Sequence, residues 1–117
     1  MHELGIAQSI LETARRESAV RQGVAVHTIG LRIGILSGVL PDALSFGFDA
    51  MTAGTDMETC QLAIDMVPAR GACRDCGMAF EVEEFLFVCP ECHSGKVDTL
   101  QGFEMEIAYL EIDEPES

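Results

Sequence analysis

Basic residues are scarce in this chain. Of its 117 residues only seven are Lys or Arg, against twenty Asp and Glu, which leaves a formal charge of −13. A surface that acidic repels phosphate backbones, so nucleic-acid binding is not expected. The basic residues are scattered along the sequence and form no stripe that could track a nucleic acid. No apolar run approaches the ~20 residues of a membrane span. The opening Met1-His2-Glu3-Leu4-Gly5 has no basic stretch followed by an apolar one, so no secretory signal is expected and the cytoplasm is the expected address. Also missing are a nucleophile–base constellation, a phosphate-binding glycine loop, a low-complexity linker and any internal repeat beyond a pair of CxxC motifs. An enzyme is therefore not expected.

What is present suits one compact domain with a smaller appendage. Apolar residues make up 48% of the chain, enough for a modest core. From Leu4 to about Gln22 the apolar set Leu4, Ala7, Ile10, Leu11 and Ala14 forms the stripe of an amphipathic helix, and Gly23 stops it. His27, Ile29, Leu31, Ile33 and Ile35 then alternate with smaller or polar residues, the period of a strand with one buried face. Gly30 and Gly34 on its other face leave room for a close neighbour. Ser37-Gly38 makes a turn, and Pro41 opens a second helix with the stripe Leu40, Leu44, Phe48 and Met51. A second strand runs through Cys60, Leu62, Ile64 and Met66 to Pro68. A third begins at Phe103, with its apolar set shifting near Tyr109 as a bulge would shift it. The expected fold is α+β: a three-stranded sheet with two helices on one face. Residues 1–68 and 100–117 form that domain, and residues 69–99 are an inserted zinc-ribbon module.

The insert carries Cys73-Arg-Asp-Cys76 and Cys89-Pro-Glu-Cys92, two CxxC knuckles with twelve residues between them. In a reducing compartment such pairs hold a metal rather than disulfides, and two knuckles close a tetrahedron of thiolates around one zinc ion. Four thiolates leave no open coordination position, so the zinc is expected to be structural. Gly77 can take the backbone conformation a tight knuckle needs, and Met78–Val88 leaves room for a hairpin between the knuckles. A piece of about thirty residues is too small to fold on apolar burial alone. Cys89–His93 also matches a haem-attachment CxxCH, but that reading requires export and orphans Cys73 and Cys76. His93 is left as a neighbour of the zinc ligands or an alternate ligand. Cys60, on an apolar strand face, reads as a buried free thiol.

At the other end, His2 sits beside the terminal amine and Glu3 follows it. An amine, an imidazole and the backbone nitrogen between them can chelate one metal, and a plane of nitrogen donors favours Ni(II) or Cu(II). A histidine in this place is more often a plain surface residue, and the tripeptide by itself does not separate the two.

Met1-His2-Glu3, Gly34-Ile35-Leu36-Ser37-Gly38-Val39 and the two knuckles, in this order across the chain, closely resemble the HypA/HybF family of nickel-insertion accessory proteins for [NiFe] hydrogenase. The resemblance implies a nickel metallochaperone, with Ni(II) held by His2 and further donors from Met1 and Glu3. It places the zinc on Cys73, Cys76, Cys89 and Cys92. It implies as partners a GTP-hydrolysing accessory protein and the hydrogenase large subunit, with the chain itself a monomer or homodimer. Two positions depart from the family's pattern. Ile35 and Leu40 stand where relatives often carry acids, and Asp42 is the nearest substitute. The competing reading is a zinc-ribbon adaptor for protein or nucleic-acid recognition. It explains the cysteines but gives Met1-His2-Glu3 no role.

Overall fold

A computed structural model describes residues 3–113 of the chain. The elements follow in the order α1 (Glu3–Ala19), β1 (Val26–Gly34), a 3-10 turn (Ile35–Ser37), α2 (Pro41–Thr52), β2 (Gln61–Val67), β3 (Arg70–Cys73), β4 (Ala79–Glu81), β5 (Val97–Gln101) and β6 (Met105–Ile112). Two three-stranded sheets result, ordered β2-β1-β6 and β4-β3-β5. The chain divides into two compact units, one of Met1–Leu31, Val39–Asp65 and Glu106–Ser117, the other of Arg32–Gly38 and Met66–Met105. Among the described residues no helix is long and apolar enough to cross a membrane.

In the first unit, α1 buries Ala7, Ile10 and Ala14 of its expected stripe together with Ile6, whereas Leu4 is exposed. It ends at Ala19 rather than Gln22. Gln22 and Gly23 both take positive φ, 67° and 74°, so that the Gly23 N–H can reach the Ser18 carbonyl at 2.9 Å. That capping bond forces the chain out of the helix before Gln22. In α2, Pro41 holds the first turn and Leu44 and Phe48 are fully buried. The two helices pack on each other, with Leu4 of α1 against Gly47 of α2.

β1 buries Ile29 and Leu31 on one face, as its alternation requires. Its Gly30, on the other face, is covered by the ring of Tyr109 from β6. The half-buried positions of β6 are Ile107, Leu110 and Ile112, a spacing of three and then two. The alternation therefore slips by one residue beside Tyr109. At the end of β6 the Asp113 N–H donates to the Ala25 carbonyl at 3.0 Å, and its carboxylate meets His27 Nε2 at 2.5 Å. Cys60 is 2% exposed just before β2, and burial raises its thiol above the ordinary range. It is a free buried thiol.

The second unit is the ribbon. β3 pairs antiparallel with β4 (Arg70↔Glu81, Ala72↔Ala79) and with β5 (Cys73↔Val97, Gly71↔Thr99), with a bulge between Arg70 and Gly71. Its core is Ala69, Cys73, Phe80, Val82 and Cys89, with Leu36, Phe87 and Val97 packed around it. The chain does reverse between the knuckles, but not as a self-paired hairpin. β4 hydrogen-bonds to β3, and the returning stretch after Phe85 forms no strand. The strand expected to begin at Phe103 begins at Met105. Gly102, at φ 127°, donates its N–H to the Glu104 carboxylate at 2.7 Å, and this tight bend delays the ladder and leaves Phe103 exposed.

Candidate metal centre

The sulfur atoms of Cys73, Cys76, Cys89 and Cys92 all lie within 4.8 Å of one another. Across the two knuckles, Cys73 and Cys92 stand 3.5 Å apart, as do Cys76 and Cys89. Four sulfurs at ~2.3 Å from one zinc ion occupy tetrahedral corners about 3.8 Å apart. The cluster is close to that size, so the donor set fits Zn(II). Cys73 and Cys89 are buried in the ribbon core, while Cys76 and Cys92 are exposed.

Each knuckle is built the same way. In the first, the Gly77 N–H donates to the Cys73 carbonyl at 2.9 Å, with Gly77 at φ 80°. In the second, the His93 N–H donates to the Cys89 carbonyl at 2.9 Å, with His93 at φ 63°. His93 thus occupies the left-handed position that the first knuckle gives to glycine, for which a side chain carries a steric cost. The imidazole is not one of the clustered donors among the described residues. The Ser94 hydroxyl donates to the Asp75 carboxylate at 2.5 Å and accepts from the Lys96 N–H at 3.1 Å, tying the second knuckle to the first.

The thiols are not equivalent. Backbone N–H bonds from Cys76 and Asp75 outweigh burial and hold Cys73 down at about 7. Backbone bonds from Cys92 and Glu91 lower Cys89 in the same way. The second cysteine of each knuckle behaves oppositely. The Ser94 N–H favours a thiolate at Cys92, but the Cys73 sulfur, burial and the other two sulfurs together push it up to about 12. At Cys76 the Met78 N–H is outweighed by the Cys89 sulfur, burial and Cys73. Four thiolates at this spacing repel one another, and a divalent cation at their centre reverses the sign of that interaction.

The residues named for nickel are placed only in part. Met1 and His2 lie outside the described residues. Glu3 opens α1, and its carboxylate accepts a 3.4 Å hydrogen bond from the Leu40 N–H, at the start of α2. Leu40 has no side-chain oxygen with which to cap α2, and the Glu3 carboxylate supplies negative charge near that helix end instead. This contact with the loop runs through a backbone amide, which no side-chain pattern could have disclosed.

Comparison with known proteins agrees with this architecture. The family model "Hydrogenase/urease nickel incorporation, metallochaperone, hypA" matches residues 1–112. The hydrogenase maturation factor HypA of Geobacter sulfurreducens is 41% identical, over 97% of this chain and 100% of its own. That of Roseiflexus sp. is 43% identical, over 97% of this chain and 94% of its own. Among solved structures, the Ni metallochaperone HypA from Helicobacter pylori aligns with a TM-score of 0.65 at 23% identity, covering 97% of this chain and 99% of that one. A second HypA solution structure gives 0.68 at 23% identity, covering 96% of each. The chain belongs to the HypA family of nickel-incorporation metallochaperones that serve hydrogenase maturation.

Proposed function

We propose that the chain carries Ni(II) at its N-terminus, on His2 with further donors from Met1 and Glu3, and delivers it to the large subunit of a [NiFe] hydrogenase. A GTP-hydrolysing accessory protein is its partner in the cytoplasm, and the chain itself catalyses no reaction. Cys73, Cys76, Cys89 and Cys92 hold a zinc ion that folds the ribbon of residues 69–99. The domain of residues 1–68 and 100–117 carries the nickel.

The observation that carries this reading is the match to the nickel-incorporation family over residues 1–112, which takes in both the terminal tripeptide and the cysteine cluster. The physical chemistry is consistent with a division of labour between the two metals. A closed set of four thiolates binds zinc with an apparent free energy on the order of 10 kcal/mol and has no reason to release it. A cargo ion needs donors that the next protein can reach and replace, and a chain terminus with an imidazole, an amine and a carboxylate offers them. A chain at net −13 also draws cations and basic partner surfaces toward itself.

Calorimetric nickel titration of the zinc-loaded protein tests the assignment. Replacing His2 with Ala is expected to abolish nickel binding while zinc content and fold persist, and a short N-terminal extension that blocks the amine is expected to weaken it. Nickel affinity equal to wild type in the His2 variant would sink the proposal.

A further inference from the structure

The ribbon contains a turn whose sequence opposes its shape. Between β4 and the second knuckle the chain reverses over residues 83–86, where the Leu86 N–H donates to the Glu83 carbonyl at 2.9 Å. The two central residues, Glu84 and Phe85, have φ of 52° and 61°. Positive φ at both central positions marks a type I′ turn, the geometry that Asn-Gly adopts most readily. Glu and Phe each press a Cβ toward the following carbonyl oxygen there. Among the described residues no hydrogen bond or ion pair engages the Glu84 carboxylate to offset that strain.

What the turn achieves is exposure. Phe85 and Leu86 are each 65% exposed, whereas the next residue, Phe87, packs onto the ribbon core. Glu81, Glu83 and Glu84 lie exposed around them in the sequence. Two large apolar side chains held in water within an acidic surround have the composition of an anchor. Strained backbone is maintained where contact with another molecule makes use of it.

We propose that this turn is a docking tip, which inserts Phe85 and Leu86 into an apolar socket rimmed by Lys and Arg on the hydrogenase large subunit. The inference rests on the delivery reading above, because hydrogenase is the protein that the relatives' names give as the one matured. A second copy of the chain is the wrong occupant. At net charge −13 two copies repel one another, and an acidic tip adds to that repulsion.

The test uses the full-length, zinc-loaded chain and the purified nickel-free large-subunit precursor from the same organism. The double substitution Glu84→Asn, Phe85→Gly places the preferred pair in the turn. Its melting temperature is expected to rise by about 5 °C as strain is relieved. Its affinity for the precursor is expected to fall by about tenfold or more as the anchor is lost. Leu86→Ser leaves the turn's central pair alone and is expected to weaken the same affinity with zinc content unchanged. Nickel affinity is expected to stay at the wild-type level in both variants, which separates this inference from the delivery reading. If wild type binds the precursor and the variants bind equally well, the docking tip is overturned and delivery stands. If the wild-type chain binds nickel but shows no affinity for the precursor, both are overturned. A tip substitution that turns a dimer into a monomer in sedimentation identifies a second copy as the occupant, and also overturns the proposal.

Discussion

The ring of Tyr109 fills the space that a side chain at Gly30 would need. A Cβ at that position would collide with three atoms of the ring. The glycine sits in β1 and the tyrosine in the neighbouring β6, so an aromatic side chain from one strand covers a bare backbone on the next. This contact also fixes which residue of β6 lies beside Gly30, at the place where its alternation slips.

Gly30→Ala is therefore expected to destabilise the protein by about 2 kcal/mol, the range for forcing volume into a packed site. Tyr109→Ala removes the colliding ring. In that background the added cost of Gly30→Ala is expected to shrink to well under half, which a double-mutant cycle of denaturant melts measures. Additive effects would show that the ring does not occupy the glycine's space.

Zinc capture is expected to release protons. At pH 7.5 the Cys73 thiol, held at about 7, is mostly ionised. Cys92, pushed to about 12, and Cys76, also raised, are protonated, and Cys89 is lowered. Metal binding must strip the remaining protons, roughly two to three per ion. The sign follows: zinc affinity rises with pH, and the dependence steepens below about 7 as Cys73 too becomes protonated. Calorimetry in buffers of different ionisation enthalpy counts the protons directly. A release near zero would mean that the four thiols are already ionised without metal.

His93→Gly is expected to stabilise the zinc-loaded ribbon by about 1 kcal/mol, because His93 holds the φ of 63° that Gly77 supplies in the first knuckle. Gly77→Ala, at φ 80°, is expected to cost about as much. Thermal melts of the zinc-loaded variants check both. X-ray absorption of the His93 variant is expected to retain four sulfur neighbours around zinc, and any change in that shell would make His93 a ligand.

Much of this architecture was legible in the sequence for one reason: its signals are local. The stripe of Ile10 and Ala14 and the alternation of Ile29 and Leu31 each declare an element and its buried face within a few turns or residues. The knuckles are equally local. Cys73 and Cys76, or Cys89 and Cys92, converge through three residues of backbone, and the tetrahedron needs only that two such pairs meet. Glycines 30, 34 and 77 likewise announced a close approach or a left-handed turn.

The rest depended on residues distant in the chain. The strands of the ribbon are three to five residues long, too short to show a period, and β3 finds its partners at Ala79–Glu81 and Val97–Gln101 only once the chain is folded. The bond from the Leu40 N–H to the Glu3 carboxylate, the ring of Tyr109 over Gly30, and the strained turn exposing Phe85 and Leu86 left no mark in composition or spacing. Sequence by itself determined which atoms could bind metal, because ligand chemistry is written in side chains. Tertiary structure decided how those atoms are held and what surrounds them. Backbone amides, close approaches and strain exist only when separate stretches of chain are brought together.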